Sequence, residues 1–161
     1  MRVGMGLLAL LASTMLGPVS APTASAQASA RKLPYWASIA QPIARMRKGP
    51  SPDMPVTWEY RRDGLPVKVI GRYQSWRKVQ DPDRTIGWMQ SRLLSAQRTG
   101  IVVGGIRPMH VSPDASAAVA WRTEPGVVGK IDDCEAGWCE FDAGGKRGYI
   151  RAAHVWGAGA P

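Results

Sequence analysis

At 161 residues the chain has room for one ordinary domain or two very small ones. A charged fraction of 20% beside a hydrophobic fraction of 45% excludes a wholly disordered chain, and eighteen Gly with thirteen Pro argue for turn-rich β structure over helices. The net charge of +9 is uneven: Arg31 to Arg98 holds fourteen Lys/Arg against five Asp/Glu, whereas Gly100 onward holds six against seven. The first half therefore suits an anionic partner, the plainer reading being a basic surface kept for solubility. With seven Trp and one Phe, Trp is the expected core filler and a source of contact surface.

In chain order, Met1 to Ala26 reads as a secretory signal peptide, with Arg2 as its charged start. Val3 to Leu16 is the apolar run and Ala24-Ser25-Ala26 the small-residue cleavage site. That run falls short of the roughly twenty residues of a spanning helix, and no later segment is apolar enough to span. The mature chain is thus expected in the periplasm or secreted, with no stable membrane insertion. Residues 27–34 form a linker, and the first folded unit starts near Tyr35-Trp36. Ile39, Ile43 and Met46 are apolar points in a polar strand or loop that ends at Gly49-Pro50-Ser51-Pro52. Trp58 to Gly64 is expected to close a loop onto the strand carrying Val67 and Val69.

An internal repeat organises the folded part of the chain. Pro50 and Trp58 match Pro113 and Trp121 at a spacing of 63. Gly64, Val69, Trp76 and Val79 match Gly126, Ile131, Trp138 and Phe141 at 62, and Gly87, Trp88, Met89 and Leu94 match Gly148, Tyr149, Ile150 and Val155 at 61. Short strands with frequent turn signals and no helix-period segment predict an all-β chain, a small bent antiparallel barrel present twice. The units span residues 35–99 and 100–157. Ile101-Val102-Val103 reads as a strand in the join, so the two units are expected in a fixed relation.

Cys134 and Cys139 flank Glu135-Ala136-Gly137-Trp138. With Ala136-Gly137 at a hairpin tip, the two face each other with Cβ atoms about 4.5–5.5 Å apart, close to disulfide range, and export supplies the oxidising setting. The alternatives are a catalytic Cys or a metal site. His110 and His154 lie in no recognisable peptidase signature, and one Cys-x4-Cys pair is not a zinc motif. No catalytic residue, metal or cofactor is expected.

Together these features resemble the bacterial SH3-like (Src-homology-3-like) domains of exported proteins, in tandem. The resemblance is carried by Arg47-Lys48-Gly49-Pro50-Ser51, Gly64-Leu65-Pro66-Val67-Lys68-Val69, Trp76-Arg77-Lys78-Val79 and Gly87-Trp88-Met89. The second unit matches through Gly137-Trp138-Cys139 and Gly148-Tyr149-Ile150 but departs at His110-Val111-Ser112-Pro113. The resemblance implies a non-enzymatic binding or targeting module of the cell envelope. It would contact a cell-wall polymer such as peptidoglycan or another anionic envelope component, or serve as a periplasmic protein–protein adaptor. Nucleic acid fits the charge but not the compartment. Residues Gly148 to Val155 are also similar to the closing segment of eukaryotic Src-homology-3 domains. Arg151 and His154, with Gln90 and Leu93 in the first unit, replace that segment's Pro and Tyr, so the usual polyproline groove is broken.

Strand alternation gives the expected contact residues. Val79 faces the core, Arg77 shares its parity, and Trp76 and Lys78 face outward. The expected ligand-binding set is Trp58, Tyr60, Trp76, Arg77 and Lys78, with Arg61, Arg62, Lys68 and Arg72 extending a basic face. The competing reading lays Trp76 flat under the 58–64 loop, and Trp88 and Tyr149 are expected in the core.

Overall fold

The computed structural model describes residues 31–161, so the expected signal peptide over 1–26 lies outside the described residues. The first sheet contains β1 (Tyr35–Ile39), β2 (Ala44–Arg47), β3 (Val56–Tyr60), β4 (Pro66–Tyr73), β5 (Trp76–Gln80), β6 (Ile86–Gln90) and β7 (Leu94–Ser95). The second contains β8 (Thr99–Val102), β9 (Arg107–His110), β10 (Val119–Thr123), β11 (Val128–Glu135), β12 (Trp138–Ala143), β13 (Lys146–Arg151) and β14 (Val155–Trp156). The strand orders, β3-β2-β6-β5-β4-β1-β7 and β10-β9-β13-β12-β11-β8-β14, are the same order written twice. One 3-10 turn precedes the last strand of each sheet, Ser91–Leu93 in the first and Ala152–His154 in the second. Trp76 and Trp138 open equivalent strands, as the repeat requires. No helix among the described residues is long and apolar enough to cross a membrane.

Period-two alternation builds each interior. Ile39, Met46, Val67, Val69, Val79 and Met89 close the first core, and Val102, Met109, Ile131, Phe141, Ile150 and Val155 the second. The structure corrects three expectations drawn from sequence. Residues 56–60 form a strand, not part of a loop, because β3 pairs with β2 from Ala44↔Tyr60 to Arg47↔Val56. Trp does not fill the cores: Trp36, Trp76 and Trp138 are buried but stand outside both clusters, whose space aliphatic side chains, Met, Tyr60, Cys139 and Phe141 fill. Trp88 and Tyr149 are half-buried on the outer face, while their neighbours Met89 and Ile150 are fully buried. The glycine beside each takes the inward parity; a Cβ on Gly87 would lie 2.3 Å from Met46 Cγ, so Trp88 must point out.

The expected strand in the join is β8, part of the second sheet. Trp36 of β1 meets Trp156 of β14 edge-on, ring centroids 4.7 Å apart, and its indole N–H donates to the Gly159 carbonyl at 3.1 Å. Ile101 and Val128 of the second sheet also pack against the first core. Apolar contact and a hydrogen bond thus cross the seam between the barrels.

The β11–β12 hairpin is closed by a disulfide between the directly opposed Cys134 and Cys139, with Cα atoms 4.1 Å apart. Its two-residue turn, Ala136 (φ 48°) and Gly137 (φ 81°), has the positive-φ pair that suits the twist of a tight hairpin. The same ladder position in the first barrel holds Arg72↔Arg77. There Arg77 is buried and donates through Nη1 to the carbonyls of Gln74 and Trp76, both at 2.9 Å, tying the turn by hydrogen bonds in place of sulfur. Removing the disulfide with Cys134→Ser/Cys139→Ser should cost about 2 kcal/mol, the chain-entropy value for so short a loop. Urea unfolding of the oxidised protein against the double variant reads that difference; equal midpoints would contradict it.

Candidate functional site

Several outward side chains of the first barrel line one groove. Ala44 and Met46 are buried on β2, so Arg45 and Arg47 take its other face. Trp76 opens β5 on the same outer side, Gln90 ends β6, and the 3-10 turn brings Arg92 and Leu93 alongside. With Ile43 from the β1–β2 turn, these residues line a groove of about 530 Å³. Trp76 is 5% exposed, and among the described residues its indole N–H has no hydrogen-bond partner.

Three guanidiniums border the groove, each held by a local contact. Arg45 Nε donates to Glu59 Oε2 at 2.9 Å, Arg47 Nη1 to the Met54 carbonyl at 2.6 Å, and Arg92 Nε to Gln90 Oε1 at 2.7 Å. A guanidinium has five N–H donors, so each anchored fork keeps others for a carboxylate or phosphate. The hydrogen bond from Arg45, with Arg61 close by, holds the Glu59 carboxyl below its ordinary value, so Glu59 stays an anion that orients these arginines. In its chemistry, an aromatic wall with an exposed Ile43 and a cationic rim would suit an anionic group carried on an apolar or ring-shaped body.

The residues expected from sequence divide around this groove. Trp76 lines it, beside residues of β2 and of the turn before β7. Lys78 is exposed on the same face of β5. Trp58 is 57% exposed on β3 but does not line the groove. Tyr60 and Arg77 are buried with inward parity and do not line this groove. Tyr60 is buried and its hydroxyl donates to Asp81 Oδ2 at 2.8 Å; burial, then that carboxylate, push its pKa far up. Ile43, Arg45, Arg47, Gln90 and Arg92 join the site without having been expected in it. The parity of β2 marks Arg45 beside Arg47, but nothing local to residues 90–92 shows which strand they meet.

The duplicate groove is filled by its own chain. Arg151 stands where the first barrel has Gln90, and its guanidinium lies 4.1 Å from the Trp138 ring centroid. His110 replaces Arg47 and meets Trp138 edge-on at 5.4 Å, its Nδ1–H donating to the Ala117 carbonyl at 2.8 Å. His154 follows on the 3-10 turn with a buried Nδ1 that has no partner among the described residues. Burial first, then the positive charges of Arg107 and Arg151, lower its pKa. The folded protein therefore takes up this proton less readily than the unfolded chain, whose imidazole titrates near about 6.5. Stability from this source is intact above that pH and falls as pH drops through it. His154→Gln should flatten the decline in urea midpoint between about pH 7.5 and 5.5; an unchanged slope would assign the decline elsewhere.

Among the described residues no group of His, Cys, Asp and Glu is placed to hold a metal ion. No curated protein matches the chain in sequence. Its fold is similar to that of NlpC2 from Trichomonas vaginalis, at 14% identity and a TM-score of 0.37, covering 79% of this chain and 49% of that one. It is likewise similar to an NlpC/P60 family protein from Bacillus cereus ATCC 10987, at 12% identity and 0.33, covering 75% and 55%. A putative autolysin from Listeria monocytogenes gives 16% identity and 0.30, covering 78% and 63%. This chain spans less than two thirds of each. The bacterial SH3 domain profile matches twice, over residues 40–96 and 104–157. With both barrels covered and the strand order repeated, the chain belongs to the bacterial SH3 domain family, in tandem.

Proposed function

We propose that this is a non-catalytic, exported binding module that holds an anionic component of the cell envelope, peptidoglycan being the leading candidate, in the groove of its first barrel. The units acting in this reading are residues 35–99 and 100–157, after cleavage of a signal peptide near Ala26. The observation that carries it is the groove itself, where Trp76 lies among Arg45, Arg47 and Arg92 in the half of the chain that holds the positive charge. The disulfide supports an oxidising compartment. Lys78 and Trp58 flank this site in the proposal, and Tyr60 and Arg77 support it from inside.

Co-sedimentation with purified sacculi across a salt series tests the reading. Arg47→Gln/Arg92→Gln should weaken retention by about tenfold or more, the scale of one lost charge-assisted hydrogen bond. Retention should also fade as rising salt shortens the screening length. Binding that ignores both the double substitution and salt would retire the groove.

An adaptor role is the second reading, favoured by β3. It is the edge strand of its sheet, with Val56 and Trp58 exposed on it, and can accept a partner's strand. Recovery of one stoichiometric protein by crosslinking, without sacculus binding, would select it.

A further inference from the structure

The second barrel differs from the first in charge as well as in the state of its groove. Ladder register places the difference. Trp138 and Glu140 share the outer face of β12, Glu135 lies opposite Trp138 across one ladder, and Tyr149 lies opposite Glu140 across the other. With Pro113 from the β9–β10 loop, these residues line a pocket of about 350 Å³. Neither Arg151 nor His110 lines it, so the internal cation that covers Trp138 leaves this side open.

Three features indicate what the pocket accepts. Two aromatic rings and two carboxylates are what a positively charged head with an apolar stem requires: the ring faces attract the cation and the carboxylates take its N–H groups. In a chain of net charge +9, neither Glu135 nor Glu140 has an ion-pair partner among the described residues. Trp138 is only 6% exposed, lines the pocket, and has no acceptor among the described residues for its indole N–H, a donor that suits a carbonyl of the peptide carrying the cation and not the cation itself. The duplicate supplies the contrast. Where the second barrel has Glu140 and Glu135, the first has Lys78 and Tyr73 at the same register positions. The fold therefore does not need carboxylates there.

We propose that this pocket binds an alkylammonium group presented on a peptide, either a lysine-type side chain or a free amino terminus. The site is independent of the anion-holding groove on the first barrel, and with it the protein would meet ligand groups of opposite charge through its two repeats.

The probes are Nα-acetyl-lysine methylamide, alanine methylamide with its free α-ammonium, and uncharged Nα-acetyl-norleucine methylamide. Each is titrated into the full mature chain while the Trp138 indole N–H resonance is followed by NMR. That resonance is identified as the one lost in Trp138→Phe. Saturable shifts with either ammonium probe and none with norleucine support the site; the probe that binds more tightly identifies the source of the ammonium. Glu135→Gln and Glu140→Gln should each weaken binding by about tenfold, and Glu140→Lys, which installs the first barrel's residue, should abolish it. Circular dichroism confirms that these outer-face variants fold. Equal shifts with norleucine, no saturable shift with any probe, or undiminished binding in Glu140→Lys would overturn the proposal.

Discussion

Restoring the first barrel's valine to the second, by Gly129→Val, should destabilise the protein by about 1–3 kcal/mol, the cost of overpacking a filled interior. The two barrels use one template with different volumes at this point. Val67 and Val79 are both fully buried in the first; their counterparts are Gly129 and Phe141. A Cβ on Gly129 would stand 2.6 Å from Phe141 Cζ and 2.8 Å from the Asp142 carbonyl oxygen. The phenyl ring therefore occupies the space that a side chain on β11 would need. Truncating that ring in Phe141→Ala should cost about 3–5 kcal/mol, since the backbone around it can collapse only in part. The double variant Gly129→Val/Phe141→Val recreates the first barrel's pair and should cost less than the sum of its two single changes. Recovery should be incomplete, because the contact with the Asp142 carbonyl does not involve the ring. Urea midpoints of the four proteins supply the cycle; strict additivity would show that the two positions do not share volume.

The second large effect is on binding. Gln90→Arg puts into the first barrel the residue that covers the tryptophan of the second, and should close the open groove over Trp76. In the duplicate, Arg151 and Trp138 sit opposite each other on paired strands; Gln90 and Trp76 have the same register. A ligand would then have to displace a cation–π contact worth about 0.5–2 kcal/mol, a penalty of about 2- to 30-fold in affinity. The substitution adds positive charge, so simple electrostatics predicts tighter binding of an anion. The sign of the change in sacculus retention therefore separates covering of the tryptophan from charge. Arg151→Gln is the reciprocal change and should uncover Trp138. Tighter binding by Gln90→Arg would mean that stacking space over Trp76 is not what the ligand uses.

Duplication, strand content and the disulfide were legible because each depends on local order. Matches at spacings of 63, 62 and 61 survive as equivalent strands, and a two-residue turn between cysteines brings their positions opposite whatever packs around them. Parity on β5 was legible for the same reason: Val79 and Arg77 lie inside, Trp76 and Lys78 outside. Parity could not say which side chains an outward tryptophan would share a groove with, because Arg45 and Arg47 of β2 and residues 90–93 reach it only through the closed sheet. The inward place of Tyr60 was hidden because residues 58–64 have the look of a loop, and only the pairing of β3 with β2 gives Tyr60 an alternation.

The sequence by itself determined that this protein repeats one small β unit, staples the second copy through sulfur and concentrates its positive charge in the first. Those properties reside in the order of residues along one strand or turn. Only the tertiary structure decided which tryptophan carries a cation of its own chain over its ring, which carboxylates remain unpaired among the described residues and how the barrels meet. Each of those outcomes depends on side chains from strands far apart in sequence competing for the same space, and that competition is resolved only when the sheets close.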